Sequence, residues 1–244
     1  MGAMSEGILR LLAPAKLTTS LRIVGTRDDG YHLIDAEMVS LDFGDWLSVT
    51  EEGASAVEFF DSQGNELLLG TDNLVSRTLR HIGSDASVRI EKVIAAGAGL
   101  GGGSADAAAI LHWAGHSDPI AAASLGADVV FCLAGGRARV QGIGELIEQL
   151  PFEDRVFTLF TPPVMSSTPA VYRAWDDLGG PVGDNGNDLE PAALVVAPEL
   201  ARWRDEFGDA IGVRPRLAGS GSTWFVEGDY PGEGRVVART SPAR

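Results

Sequence analysis

The chain has 244 residues, with 19 Lys+Arg against 34 Asp+Glu, a net charge of −15 and 45% hydrophobic residues. A chain of this size buries about 70% of its unfolded surface on folding, so one large domain or two small ones are expected and dominant disorder is excluded. The acidic balance argues against non-specific nucleic-acid binding.

The single cysteine, Cys132, rules out an internal disulfide framework and fits a reducing, cytoplasmic compartment. No run of about 18 apolar residues is present to span a membrane. The start, Met1-Gly2-Ala3-Met4, lacks the basic-then-apolar order of a signal peptide. Only two of the 19 basic residues are lysines, Lys16 and Lys92, so each invites a specific question.

In chain order, the first third reads as strands. Residues 8–12, 17–24, 33–43 and 46–51 are short apolar or alternating runs, separated by turn signals at Arg27-Asp28-Asp29-Gly30 and Asp42-Phe43-Gly44-Asp45. Asp72-Asn73 looks like a helix cap, followed by the stripe Leu74, Val75, Leu79 and Ile82. Residues 88–94 alternate as a strand, the Ala-rich segment 104–115 reads as a helix, and a short helix follows at 118–125. Beyond residue 150 come a strand at 157–160, a helix at 168–178 and a Gly/Pro/Asp-rich loop at 181–187. Helices near 188–195 and 198–207 precede strands near 214–218, 223–227 and 235–239. A β-heavy first part and a mixed second part predict an α+β fold of two subdomains, 1–152 and 153–244, without internal repeats.

The segment from Ile94 to Ala109 places four glycines in five residues, Gly99 to Gly103, between a strand and a helix. Glycines let backbone N–H groups approach an anion closely, and the following helix adds its own unpaired N–H groups and dipole. Ser104 and Asp106 supply side chains in the first helical turn, suited to capping or to a metal-bound phosphate. Gly97, Gly99 and Gly102 literally satisfy G-x-G-x-x-G, with Asp118 beyond, but no second strand follows to complete a dinucleotide unit. Residues 97–104 also approximate a P-loop with Gly103 at the lysine position. The loop can hold a nucleotide, with its cation supplied from elsewhere; a capped flexible turn is the plainer alternative.

Lys16, in Ala13-Pro14-Ala15-Lys16-Leu17, opens a strand in an apolar setting, where a snorkelling surface lysine is the plainer reading. Asp128, in Gly126-Ala127-Asp128-Val129, lies between a helix end and an apolar run, where a cap is the plainer reading. Brought together, they form a proton-accepting carboxylate beside an ammonium, which is most of what phosphoryl transfer requires beyond positioning and phosphate neutralisation.

Pro14-Ala15-Lys16, the run Gly99 to Ala108, and Gly219-Ser220-Gly221-Ser222 together resemble the GHMP kinase superfamily. Asp29-Gly30-Tyr31-His32, Leu125-Gly126-Ala127-Asp128-Val129 and Asn187-Asp188-Leu189-Glu190-Pro191 narrow the resemblance to the 4-diphosphocytidyl-2-C-methyl-D-erythritol kinase family, in the same order from about residue 11 to residue 228. The resemblance implies a two-part fold with the site between the parts, and ATP-dependent phosphorylation of the 2-hydroxyl of a cytidine diphosphate alcohol in isoprenoid precursor synthesis.

It implies Asp128 as general base with Lys16 beside it. It also implies an ATP-phosphate wrap by Ala96, Gly97, Ala98, Gly99, Leu100, Gly101, Gly102, Gly103, Ser104, Ala105 and Asp106, with Mg²⁺ between the phosphates near Ser104. Tyr31 and His32 match the cytidine-recognising pair. Tyr172, in Ser167-Thr168-Pro169-Ala170-Val171-Tyr172, matches the aromatic that stacks on the base, with core packing on Val171, Trp175 and Leu178 as its alternative. Thr168, Gly219 and Ser220 complete the implied substrate side.

Thr18 stands where the family usually carries Asn, Val130 where Pro usually follows Asp-Val, and the chain is shorter around 83–88 and 114–125. A kinase for another small alcohol and a nucleotide-binding pseudokinase are the competing readings, with a dinucleotide oxidoreductase behind them. No membrane partner is expected, and the oligomeric state stays open.

Overall fold

The computed structural model describes residues 8–51 and 56–243, so the Met1–Met4 start lies outside the described residues. Strand β1 (Leu9–Thr26) and strand β2 (His32–Thr50) form one long antiparallel hairpin where four short strands were expected. The turn at Arg27–Gly30 is present, with the Gly30 N–H donating to the Arg27 carbonyl at 2.9 Å. Asp42–Asp45, by contrast, is strand rather than turn. Gly44 pairs with Pro14, and a Cβ there would lie 1.9 Å from the Ala13 carbonyl oxygen. Its glycine answers a close approach of two backbones. Register shifts follow between Pro14 and Lys16, Thr18 and Ser20, and Ile23 and Gly25. Such bulges let one strand re-aim successive side chains.

The remaining elements are β3 (Val57–Phe60), β4 (Glu66–Leu67), α1 (Leu74–Ile82), β5 (Ser87–Glu91), α2 (Gly102–Trp113), α3 (Pro119–Leu125) and α4 (Ala127–Ala134). Then come β6 (Arg137–Gly142), β7 (Leu146–Gln149), β8 (Val156–Phe160), α5 (Thr168–Asp177), α6 (Glu190–Val196), α7 (Glu199–Ile211), β9 (Arg216–Leu217), β10 (Trp224–Glu227) and β11 (Arg235–Ser241). Strand β2 is the hub: it pairs β1, takes β5 along 46–50 and β6 along 34–39, and meets β11 at Ser40 and Leu41. Through β11 the sheet continues to β8, β10 and β9, which gives the α+β arrangement.

Elements β3, β4, α4, β6 and β7 have no counterpart among the expected ones. For α4 the reason is its sequence, Ala-Asp-Val-Val-Phe-Cys-Leu-Ala, which carries no polar face to mark a helical period. Helix α2 has the same property because it is buried on two sides. Ala105, Ala109 and Ile110 pack on β1, β2 and β5, while Ala107, Ala108 and Leu111 pack on Leu125 and Val129 of α3 and α4. Small side chains let the helix lie close to both layers.

Beneath α2 lies a buried ionic cluster. The Lys92 ammonium donates to the Asp45 carboxylate and, at 2.7 Å, to Asp106 Oδ2. Asp45 Oδ1 also accepts the backbone N–H groups of Val93 and Ile94, at 2.6 and 2.8 Å. The cluster therefore joins β2, the end of β5 and the first turns of α2. Two carboxylates share one ammonium, and Asp106 Oδ1 is buried with no hydrogen-bond partner.

Burial pushes the Asp106 carboxyl up to about 7, reinforced by the Asp45 charge and opposed by Lys92. With the folded value above the ordinary 3.8, its contribution to stability is complete below 3.8 and is lost as pH rises through about 7. Asp106→Asn cannot ionise, so its melting temperature should change less across that window than that of the wild type. Equal slopes in parallel thermal melts would sink this assignment.

Candidate active site

The glycine loop is laced to two distant segments by backbone hydrogen bonds. The Lys16 N–H donates to the Leu100 carbonyl at 3.0 Å, and the Ser222 and Thr223 N–H groups donate to the Gly97 and Ala98 carbonyls, each at 3.1 Å. These contacts require glycine. A Cβ at Gly99 would lie 2.5 Å from the Ala218 carbonyl oxygen, and one at Gly101 would lie 2.6 Å from Lys16 Cγ. Gly97, Gly99 and Gly101 also have φ of 72°, 77° and 69°, in the left-handed region. Helix α2 begins directly at Gly102, and no side chain caps it. Its first intrahelical bond runs from the Ala105 N–H to the Gly101 carbonyl at 2.8 Å, so of the two roles open to Ser104 it does not take that of the cap. The leading N–H groups remain for an anion, at the positive end of the dipole.

Lys16 and Asp128 meet. The bulge after Pro14 and the start of α4 bring Lys16 Nζ to 3.3 Å from Asp128 Oδ2, with the lysine side chain 7% exposed and the aspartate 39%. The buried member is the cation and the accessible member is the carboxylate. Thr18 Oγ1 accepts from Lys16 Nζ at 3.2 Å. Gly219 lies against both, since a Cβ there would be 3.7 Å from Thr18 Oγ1 and 3.9 Å from Lys16 Nζ. Buried Asn187 fixes that turn by donating to the Leu217 and Gly219 carbonyls at 2.9 and 2.7 Å. Ser220 Oγ lies 2.7 Å from Thr168 Oγ1, which ties the turn to α5.

One cavity of about 600 Å³ is walled by the loop from Ala95 to Ser104, Asp106, Lys16, Thr18, Asp128, Thr168, Tyr172, Gly219 and Ser220. Ala105 lies behind this wall, in the core. Burial pushes the Tyr172 phenol up to about 12, with the Asp128 charge adding to the shift, so the ring is neutral and can donate.

His32 is beside Tyr172, with ring centroids 4.9 Å apart, and does not itself line the cavity. Tyr31 is not brought there. It is 59% exposed at the hairpin tip, with the Arg27 guanidinium 6.0 Å from its ring. Asn73, Lys92, Ile143, Gly144 and Leu189 also reach the cavity wall. Only the scarcity of lysine pointed to Lys92 beforehand; Ile143 and Gly144 belong to a hairpin absent from the sequence reading.

No protein-family model matches the chain. Curated relatives do. It is 36% identical to a 4-diphosphocytidyl-2-C-methyl-D-erythritol kinase from Cereibacter sphaeroides, over 87% of each chain. It is 35% identical to the enzyme of that name from Ruegeria pomeroyi, covering 96% of this chain and 93% of the relative. A crystal structure of 4-(cytidine 5'-diphospho)-2C-methyl-D-erythritol kinase superposes with a TM-score of 0.74 at 28% identity, covering 95% of this chain and 99% of that one. With likeness of this extent in both sequence and fold, the chain belongs to the 4-diphosphocytidyl-2-C-methyl-D-erythritol kinase family.

Proposed function

We propose that this chain transfers the γ-phosphoryl group of ATP to the 2-hydroxyl of 4-diphosphocytidyl-2-C-methyl-D-erythritol, between its 1–152 and 153–244 parts. The observation that carries the reading is the Lys16–Asp128 pair, 3.3 Å apart on the wall of the cavity that the glycine loop also lines. As the substrate oxygen attacks phosphorus, Asp128 takes the hydroxyl proton, the new O–P bond forms, and the bond to ADP breaks. Lys16 is buried behind Asp128 and anchored on Thr18, where its ammonium faces the charge on the reacting oxygens. The glycine-loop N–H groups and the leading N–H groups of α2, at Gly102 to Ser104, would hold the phosphates, whereas the Ala105 N–H is already bonded to Gly101.

Magnesium fits as a companion of ATP. Among the described residues no group of three or more His, Cys, Asp or Glu side chains forms a ready metal cage. Mg²⁺ commonly takes most of its ligands from waters and phosphate oxygens. Ser104, at the uncapped start of α2 on the cavity wall, suits a single protein ligand. The metal would neutralise charge on the transferring phosphate.

On the substrate side, Thr168, Gly219 and Ser220 face the same space, Tyr172 offers a ring for a base, and His32, beside that ring, would meet the edge of a base stacked there. Tyr31 would join only by swinging in from the hairpin tip. The lone cysteine fits a reaction in the reducing cytoplasm, and among the described residues no helix is long and apolar enough to cross a membrane.

Coupled ADP release with Mg-ATP and the cytidine substrate tests the reading. Asp128→Asn should lower kcat by about 10²-fold or more while leaving ATP affinity within about twofold. Loss of ATP binding would move Asp128 away from the hydroxyl, whereas ATP binding without wild-type turnover would identify a pseudokinase or a different alcohol. Gly101→Ala should depress turnover too, since the new methyl pushes on the Lys16 stem; wild-type kcat in this variant would refute the steric account. Tyr172→Ala should raise KM for the cytidine substrate by about tenfold, and Tyr172→Phe should restore it. An unchanged KM in the alanine variant would return Tyr172 to core packing.

A further inference from the structure

His32 is held in a seat made by one turn of α5. Tyr172, Trp175 and Asp176 are spaced i, i+3 and i+4, so they share a helix face. The Tyr172 ring lies 4.9 Å from the imidazole at an interplanar angle of 31°, and the Trp175 ring meets it edge-on at 5.4 Å. Asp176 Oδ1 is 2.7 Å from His32 Nε2, with the histidine side chain 9% exposed and the aspartate 52%. This contact joins the start of β2 to the end of α5, across 144 residues of chain.

An ionised carboxylate only accepts hydrogen bonds, so the Nε2 proton of His32 donates to Asp176. A neutral imidazole has one N–H, and placing it on Nε2 leaves Nδ1 as a lone-pair acceptor. No protein group among the described residues hydrogen-bonds Nδ1. The ring stands at the flank of Tyr172, the aromatic wall of the cavity.

We propose that Asp176 is a positioning residue that sets base selectivity. By accepting from Nε2 of the neutral imidazole it commits Nδ1 to acceptance, a polarity matched by the exocyclic amine of cytosine and opposed by the carbonyl in the same place on uracil. The inference rests on the cytidine-substrate reading above. A polar edge of fixed sense rejects the mismatched base because two acceptors then face each other without a proton between them. Asparagine at position 176 lifts the constraint. Its carbonyl can accept from Nε2–H, and its amide can equally donate to a bare Nε2, which frees His32 to carry its proton on Nδ1.

The experiment compares the wild-type chain with Asp176→Asn and Asp176→Ala, using Mg-ATP and either the cytidine substrate or its uridine counterpart. In both variants KM for the cytidine substrate should rise about tenfold with kcat within about twofold, and the cytidine-to-uridine ratio of kcat/KM should narrow by about tenfold. Two-bond ¹H–¹⁵N spectra should show His32 as the Nε2–H tautomer in the wild type and as a mixture in Asp176→Ala. An unchanged ratio, a kcat loss equal for both substrates, or a wild-type Nδ1–H tautomer would overturn the proposal. Absence of wild-type turnover on either substrate would instead overturn the functional reading, and this proposal with it.

Discussion

The close approach of backbones around Gly99 and Gly101 is the constraint on which the rest of the site depends. With side chains there, the loop would run into the Ala218 and Gly221 carbonyls and into the Lys16 stem, at 2.5, 2.7 and 2.6 Å. Because it can come this close, it bonds to β1 through Leu100 and to the 218–223 turn through Gly97 and Ala98. Three segments far apart in the chain thereby become one surface. Lys16 is placed by this lacing, α2 starts where the loop ends, and Gly219 is pressed against Thr18. The chain accepts the backbone entropy cost of so many glycines because contact, rather than flexibility, is what they provide.

The two lysines in a chain otherwise furnished with arginine both end beside this loop, 7% and 13% exposed. A compact ammonium on a flexible stem fits a narrow buried space that a planar guanidinium would fill badly. Their roles then diverge through their partners. Lys92 lies between two carboxylates that offset its charge, so it braces the first turn of α2 and adds little positive field to the cavity. Lys16 faces one carboxylate, which is itself open to the cavity, and a hydroxyl. In a chain of net charge −15 long-range steering opposes an anionic ligand, and Lys16 with the backbone N–H groups at the start of α2 gives this cavity a local positive field.

Much of this was legible in sequence because the motifs are local. The glycine run, the Lys16 and Asp128 neighbourhoods and the Gly219–Ser222 turn are each contiguous, and the α+β order follows from the run of periods. What escaped has identifiable physical reasons. Pro14 falls between two expected strands and Gly44 in an expected turn, yet they face each other inside one long hairpin, where a bulge and a missing Cβ resolve both. Helix α4 has no polar face to display. The Asp45–Lys92 contact spans 47 residues and His32–Asp176 spans 144, and although His32 and Lys92 stood out in the sequence, nothing local announced either pairing. Tyr31 shows the converse, since the motif neighbour of His32 stands 59% exposed, away from the cavity.

The two ends of the site are therefore supported in different ways. Around the glycine loop the positions are fixed by main-chain bonds and by the absence of side chains, so a single added methyl at Gly101 pushes on the Lys16 stem. Around Tyr172 they are fixed by side chains: His32 at the start of β2, one turn of α5 and a half-exposed carboxylate. Main-chain lacing couples its members rigidly, whereas a side-chain seat can be altered one group at a time without moving the backbone behind it. The two supports are nonetheless joined, since Ser220 Oγ lies 2.7 Å from Thr168 Oγ1 and so ties the laced turn to α5, and Asp128 and Tyr172 stand on the wall of one cavity.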